Sequence, residues 1–286
     1  MLKRVVFVFG LGFVVGCSDG QVLNTEAESI TFPGSEGAPV ACQISQAVFG
    51  GEYDIAYTAV VSMLNATDQC SGTLIAADRV LTAAHCVCAP TNRTTSPWIV
   101  HAEDCGGTRT SVDVYRAQNV DGGIEGIIDS FDGTVVVHPG LVMTEDWPGA
   151  DHFHDYEHDI AVIQLDSRVD AKVVPIVIAK TSPTPCIGAT VVGFGNNEAT
   201  DGGAQIGYGT RRVGIVGVTK VTCDVLETSP SAEGDVVFNG HGDSGGPLLM
   251  SGEDGIKELV GVASYRSGTT GGFMNAVNDR DWILAQ

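Results

Sequence analysis

The chain has 286 residues, 37 of them glycine and 8 of them cysteine, with a formal net charge of −20. That length suits one large domain or two small ones with real cores. So acidic a chain repels phosphate backbones, which excludes nucleic acid as an expected partner and suits a protein kept soluble by its surface charge.

The chain opens with Lys3 and Arg4 before an apolar stretch over residues 5–15. The stretch is too short to span a bilayer as a helix, and it has the charged and apolar regions of an export signal. It ends Val14-Val15-Gly16-Cys17, which resembles the bacterial lipobox, whose cysteine is lipidated. The alternative is a plain signal peptide cleaved near Gly16. The expected destination is the cell envelope, with a lipid anchor at Cys17 in the outer membrane, or the medium after release. Residues 18–47 carry Asp19, Glu26, Glu28 and Glu36 with Pro33 and Pro39, and no apolar period. A disordered tether and pro-segment is expected there.

Beyond residue 47, short β-branched runs recur between turn signals: 60–61, 134–137, 160–165, 173–178, 191–192, 213–221 and 259–263. No long segment keeps a helical apolar period, so an all-β domain is predicted, with one helix from about Asn278 to the end.

Three segments carry chemistry. Leu81-Thr82-Ala83-Ala84-His85-Cys86 contains a histidine, His158-Asp159-Ile160-Ala161-Val162 a carboxylate, and Gly242-Asp243-Ser244-Gly245-Gly246-Pro247 a serine between glycines. A serine hydroxyl is a weak nucleophile near neutrality and needs a base, which in turn needs an orienting group. His85 suits the base, because its ordinary pKa lies near neutrality. Asp159 would orient it and Ser244 would attack. Glycine at 242 lets the loop turn its amides toward a developing negative charge, so the N–H groups of Gly242 and Ser244 are the expected oxyanion hole.

The chain order histidine, aspartate, serine, together with Val48-Phe49-Gly50-Gly51, Cys70-Ser71-Gly72-Thr73-Leu74-Ile75, Val137-His138-Pro139-Gly140, Gly193-Phe194-Gly195, Gly261-Val262-Ala263-Ser264-Tyr265 and Asp281-Trp282-Ile283, resembles the trypsin/chymotrypsin-like serine peptidases over residues 48–286. The resemblance implies two six-stranded antiparallel β-barrels, at about 48–166 and 167–286, with the cleft between them. It implies a serine endopeptidase acting through an acyl-enzyme on polypeptide substrates, without cofactor or metal, and a monomer. It also implies a zymogen cut before Val48 by an activating peptidase, the new α-amino group pairing with Asp243. Ala47 before the cut argues for an activator that accepts small residues. The alternative is a non-catalytic surface lipoprotein that uses this fold to bind a partner.

Specificity rests on fewer residues. By the resemblance Phe238 occupies the pocket floor, which argues against Lys or Arg at the cleavage site. Gly272 would leave one pocket wall open, Ser264, Tyr265 and Arg266 would pair with substrate backbone, and His241 would sit at the mouth. Small or apolar side chains are expected. An acidic preference is the alternative if the Arg266 guanidinium enters the pocket instead of pointing to solvent.

In an exported chain the cysteines are expected to form disulfides. The resemblance pairs Cys70 with Cys86 around the histidine, and Cys88 with Cys105 is expected beside it. If Cys17 is lipidated, one of Cys42, Cys186 and Cys223 is left over. A Cys42–Cys186 bridge would keep the cut domain tethered, whereas a Cys186–Cys223 bridge would release it. The run Asp151-His152-Phe153-His154-Asp155-Tyr156-Glu157-His158 offers zinc-capable ligands, but is read as a solvated acidic loop.

Overall fold

The computed structural model describes residues 52–54, 56–64, 69–90, 98–106, 109–120, 123–145, 155–195, 210–230, 242–267 and 270–286. The expected signal peptide, Cys17, the tether and Val48 lie outside the described residues.

The first barrel is closed by Ala161–Leu165, Arg79–Thr82, Gln69–Ala76, Val60–Leu64, Arg109–Val120 and Gly123–Val137, the last pairing back onto the first. In the second, Arg212–Val221, Ile187–Gly193, Pro247–Ser251, Lys257–Ser267, Thr270–Asn275 and Val225–Pro230 follow in order, and the ring closes where Val225–Pro230 meets Arg212–Val221. Every pairing within the two barrels is antiparallel. The two-residue strand Glu52–Tyr53 adds to the outside of the second barrel against Val213 and Arg212.

Residues 160–163 show why the apolar runs do not alternate with polar residues. Ile160, Val162 and Ile163 point into the main core, whereas Ala161 joins Val100, Leu141 and Met143 on the other side. That outer side is covered by a small sheet of Trp98–His101, Val142–Glu145 and Asp155–Glu157. A strand buried on both faces reads as a continuous apolar run. Val192, Phe194, Leu259 and Met274 of the second barrel pack in the same cluster as Val60, Leu81 and Val162 of the first. The barrels therefore share one apolar seam, and the loops above it are held to both.

Two sequence expectations change. The run 173–178 is not a strand, apart from a lone bridge between Ile178 and Leu259. Pro175 has no N–H to give a ladder, and the segment pairs with each barrel in turn: Ile176 N–H donates to Leu74 O, and Ala179 N–H to Leu259 O. It is the inter-barrel connector, with Val173 and Ile176 buried and Val174 and Val177 exposed. Likewise, the described part of the acidic His-rich run is not a loop, because Asp155–Glu157 is a paired strand. The terminal helix, Arg280–Ala285, begins two residues later than expected and docks through buried Ile283.

Candidate active site

His85 sits in the short 3-10 turn Ala84–Cys86, directly after Arg79–Thr82 of the first barrel. Its Nδ1 lies 2.7 Å from Asp159 Oδ2, and its backbone N–H donates to Asp159 Oδ1 at 2.8 Å. Asp159 Oδ2 also accepts the Ser264 hydroxyl at 2.6 Å. The carboxylate is wholly buried, whereas the imidazole is 19% exposed at its side chain. Burial works against the charge of Asp159. The nearby His85, with hydrogen bonds from its ring, from Ser264 and from the His85 amide, outweighs burial and holds the carboxyl below its ordinary pKa. An ionised carboxylate only accepts, so Nδ1 carries the proton in the neutral ring and Nε2 presents its lone pair.

The serine loop arrives from the other barrel, and Ser71 is its anchor. The Ser71 N–H donates to Ser244 O at 2.7 Å, its hydroxyl donates to Gly242 O at 2.7 Å, and Ser71 Oγ accepts the Phe194 N–H at 3.0 Å. Gly245 N–H donates to Ala263 O at 2.7 Å, and Ala263 N–H returns a bond to Gly246 O at 2.8 Å. Gly245 has φ +81°, and a Cβ there would fall inside van der Waals contact of Thr82 Oγ1 and Ser71 O, so glycine is required on both counts. Cys86 Sγ lies 3.8 Å from His85 Nε2 and 3.6 Å from Ser244 O, which puts the histidine's lone pair and the serine's peptide around one sulfur.

Asp243 is buried beneath this loop, and its Oδ1 accepts the Gly195 N–H at 2.8 Å. Side chains on Gly193 or Gly195 would collide with the carboxylate, so Gly193-Phe194-Gly195 is the cradle in which it lies.

Tyr265 lays its ring directly over Gly272, its cross-strand neighbour. The space that Gly272 was expected to leave open is thus filled from within the domain. Arg266, one residue on, is exposed. Sequence reasoning missed Tyr156: its ring is stacked on that of Tyr265, 6.0 Å away with 2° between planes, and lies 5.8 Å from the His85 ring. Its only signal was an aromatic residue inside a charged run. Phe238 and His241 lie outside the described residues.

Cys70–Cys86 and Cys88–Cys105 are both bridged, as expected. Cys186 and Cys223 are also disulfide-bonded, and no described cysteine is free; Cys42 lies outside the described residues.

Two closed six-stranded barrels, with a carboxylate-held histidine from one facing a Gly-Asp-Ser-Gly loop from the other, define the double-barrel class of serine peptidase folds. The family model described as Trypsin matches residues 50–283, and the chain belongs to that family of trypsin-like serine peptidases. It is similar to a trypsin from Saccharopolyspora erythraea, with 27% identity over 237 residues, covering 77% of this chain and 87% of the relative. Among solved structures it resembles neuropsin, a serine protease expressed in the limbic system of mouse brain. That match has a TM-score of 0.58 at 18% identity, covers 83% of this chain and 99% of the other, and concerns the fold.

Proposed function

We propose that this chain is an exported serine endopeptidase whose triad is His85, Asp159 and Ser244. The observation that carries the reading is Asp159, buried and clamped on His85 Nδ1 and on the His85 amide. That arrangement leaves Nε2 as the basic nitrogen on the side where Cys86 Sγ meets Ser244 O.

In the reaction, His85 Nε2 takes the Ser244 Oγ proton as Oγ bonds to the substrate carbonyl carbon. Asp159 stabilises the imidazolium that forms and stays ionised. The tetrahedral oxyanion is met by the N–H groups of Gly242 and Ser244, each such donor contributing about 3 kcal/mol to the transition state. The intermediate collapses, the C–N bond breaks, and His85 returns the proton to the leaving amine. A water then attacks the acyl-enzyme with His85 as base, which releases the acid and restores Ser244.

Activation is by a cut before Val48, whose α-amino group pairs with Asp243. The burial of that carboxylate in the Gly193-Phe194-Gly195 cradle, directly before Ser244, supports the assignment. The preferred cleavage site follows a small or apolar residue, and not Lys or Arg, because Phe238 replaces an anionic floor. The second reading, cleavage after acidic residues, requires the Arg266 guanidinium inside the pocket, and the exposure of Arg266 argues against it. The enzyme is held at the envelope through Cys17, or released by the activating cut.

A fluorophosphonate probe tests the core of this proposal. Protein beginning at Val48 is expected to be labelled at Ser244 and to cleave a peptide library, and Ser244→Ala to lose both while keeping its fold. Absence of labelling in properly processed wild-type protein would leave a binding module on a peptidase fold.

A further inference from the structure

The segment that carries Asp159 has a second cluster on its outer side. His158, immediately before Asp159, and His138, at the end of Gly123–Val137, stack their rings 4.3 Å apart with 15° between planes. Asp279, just before the terminal helix, faces both: His158 Nδ1 is 3.1 and 3.2 Å from its two carboxylate oxygens, and His138 Nε2 is 3.8 Å from Oδ1. One donor atom from each of the three residues falls within 4.8 Å of the others. Asp279 makes no side-chain capping hydrogen bond to the helix that follows.

The setting is a built one. The side chains of His138 and Asp279 are 12% and 9% exposed, whereas His158 is 27% exposed and opens one side to water. Trp282 stands edge-on to His138, 4.5 Å between centroids, and walls the other side. The backbone holds the rings in place: His138 N–H donates to Ile160 O at 2.9 Å, and Ile160 N–H to His158 O at 2.6 Å. His158 has φ +45°, a left-handed conformation uncommon outside glycine, and it is this turn that presents the imidazole outward while Asp159 points inward.

We propose that His138, His158 and Asp279 form a binding site for a zinc-class divalent cation, which ties the C-terminal helix to the strand entry that carries Asp159. Two imidazoles and one carboxylate are a borderline donor set that such ions accept tetrahedrally, at about 2.0–2.2 Å per bond. Water entering beside His158 supplies the fourth ligand. Proton accounting is simple for neutral rings: His158 holds its proton on Nε2 and His138 on Nδ1, so no net proton is released. The His138 shift costs the contact in which Gly140 N–H donates to Nδ1 at 3.1 Å, and Gly140 is exposed enough to turn that N–H to water. The site does not depend on peptidase activity, since the ion lies behind Asp159 and touches none of the reacting atoms.

The test uses the full chain carrying Ser244→Ala, stripped of metal by chelator dialysis. Zinc titration against a chromogenic chelator is expected to give one site per chain and a higher melting temperature, and cobalt to give tetrahedral d–d bands. His138→Gln, His158→Gln and Asp279→Asn are each expected to weaken zinc binding by about tenfold or more. His85→Ala is expected to leave it unchanged. Circular dichroism of the metal-free variants identifies any that misfold, and the folded variants then decide. Wild-type affinity in the folded variants, or loss of the site in His85→Ala alone, overturns the proposal.

Discussion

Ser264 donates its hydroxyl proton to Asp159 across 2.6 Å, although 105 residues separate them in the chain. The contact runs from the second barrel to the first, so the carboxylate that orients His85 is itself positioned by both. Ser264→Ala removes a hydrogen bond to a buried charge, the kind worth about 1.5–3 kcal/mol. Because the substitution leaves the Ser264 backbone unchanged, the loss is expected in kcat, by roughly ten- to a hundredfold, with KM little changed. Steady-state kinetics on the processed enzyme separates the two constants; a rise in KM alone would contradict this role.

What was legible before the fold was known divides along physical lines. Residues around His85, Asp159 and Ser244 stand in short strings because their chemistry tolerates few substitutes, and the fold brings those strings to one seam. Tyr156 and the contact of Asp279 with His138 and His158 were not legible, because they arise where distant segments meet and leave no local period. The connector over residues 173–178 looked like a strand because its β-branched composition is a strand's, and only Pro175 argued otherwise. Of the hairpin of Arg109–Val120 and Gly123–Val137 only 134–137 reads as a strand in the sequence, because polar and charged residues are interspersed through the rest.

Removing the Cys70–Cys86 bridge is expected to act on stability and activity together. The bridge closes a separation of 16 residues, worth about 3 kcal/mol in the chain-entropy account. Cys70→Ala with Cys86→Ala should lower the denaturant midpoint accordingly. Activity in the remaining folded protein should also fall, since the sulfur of Cys86 packs between His85 and Ser244. Guanidinium melts and probe labelling below the transition measure the two effects separately. Stability loss with full labelling would mean that the bridge does not position His85.

Asp54 and Arg211 form a buried pair, Nε to Oδ2 2.9 Å, with side chains 5% and 3% exposed. Burial pushes the guanidinium pKa down, and Asp54 opposes that shift. Arg211 also donates to Val60 O and Tyr115 O of the first barrel, so the pair links the barrels near the start of the described chain. Asp54→Asn strands the cation and is expected to cost about 3–5 kcal/mol. Replacing both partners, Asp54→Leu with Arg211→Met, should recover more than half of that. Denaturation of the single and double variants checks it, and a single variant within about 0.5 kcal/mol of wild type would dismiss the pair as a stabilising link.

Tyr265 and Gly272 define the remaining test, because the ring lies where a Cβ would be. Gly272→Ala must push the ring away, which is expected to cost about 1–3 kcal/mol and to disturb the Tyr156 stack beside His85. Tyr265→Ala should relieve the clash, so that the double variant is more stable than the two single losses predict. The phenol gives a second readout. Burial, with a smaller push from Glu227, raises the Tyr265 pKa above its ordinary value of 10.0. A raised pKa means the folded state holds that proton more tightly, so its contribution is present below the ordinary pKa and is lost as pH climbs through the higher one. In Gly272→Ala the displaced ring meets water, and one of the chain's 6 tyrosines should titrate earlier by ultraviolet difference spectroscopy. Tyr265→Phe assigns that step, and an unchanged alkaline titration in Gly272→Ala would show that the ring had not moved.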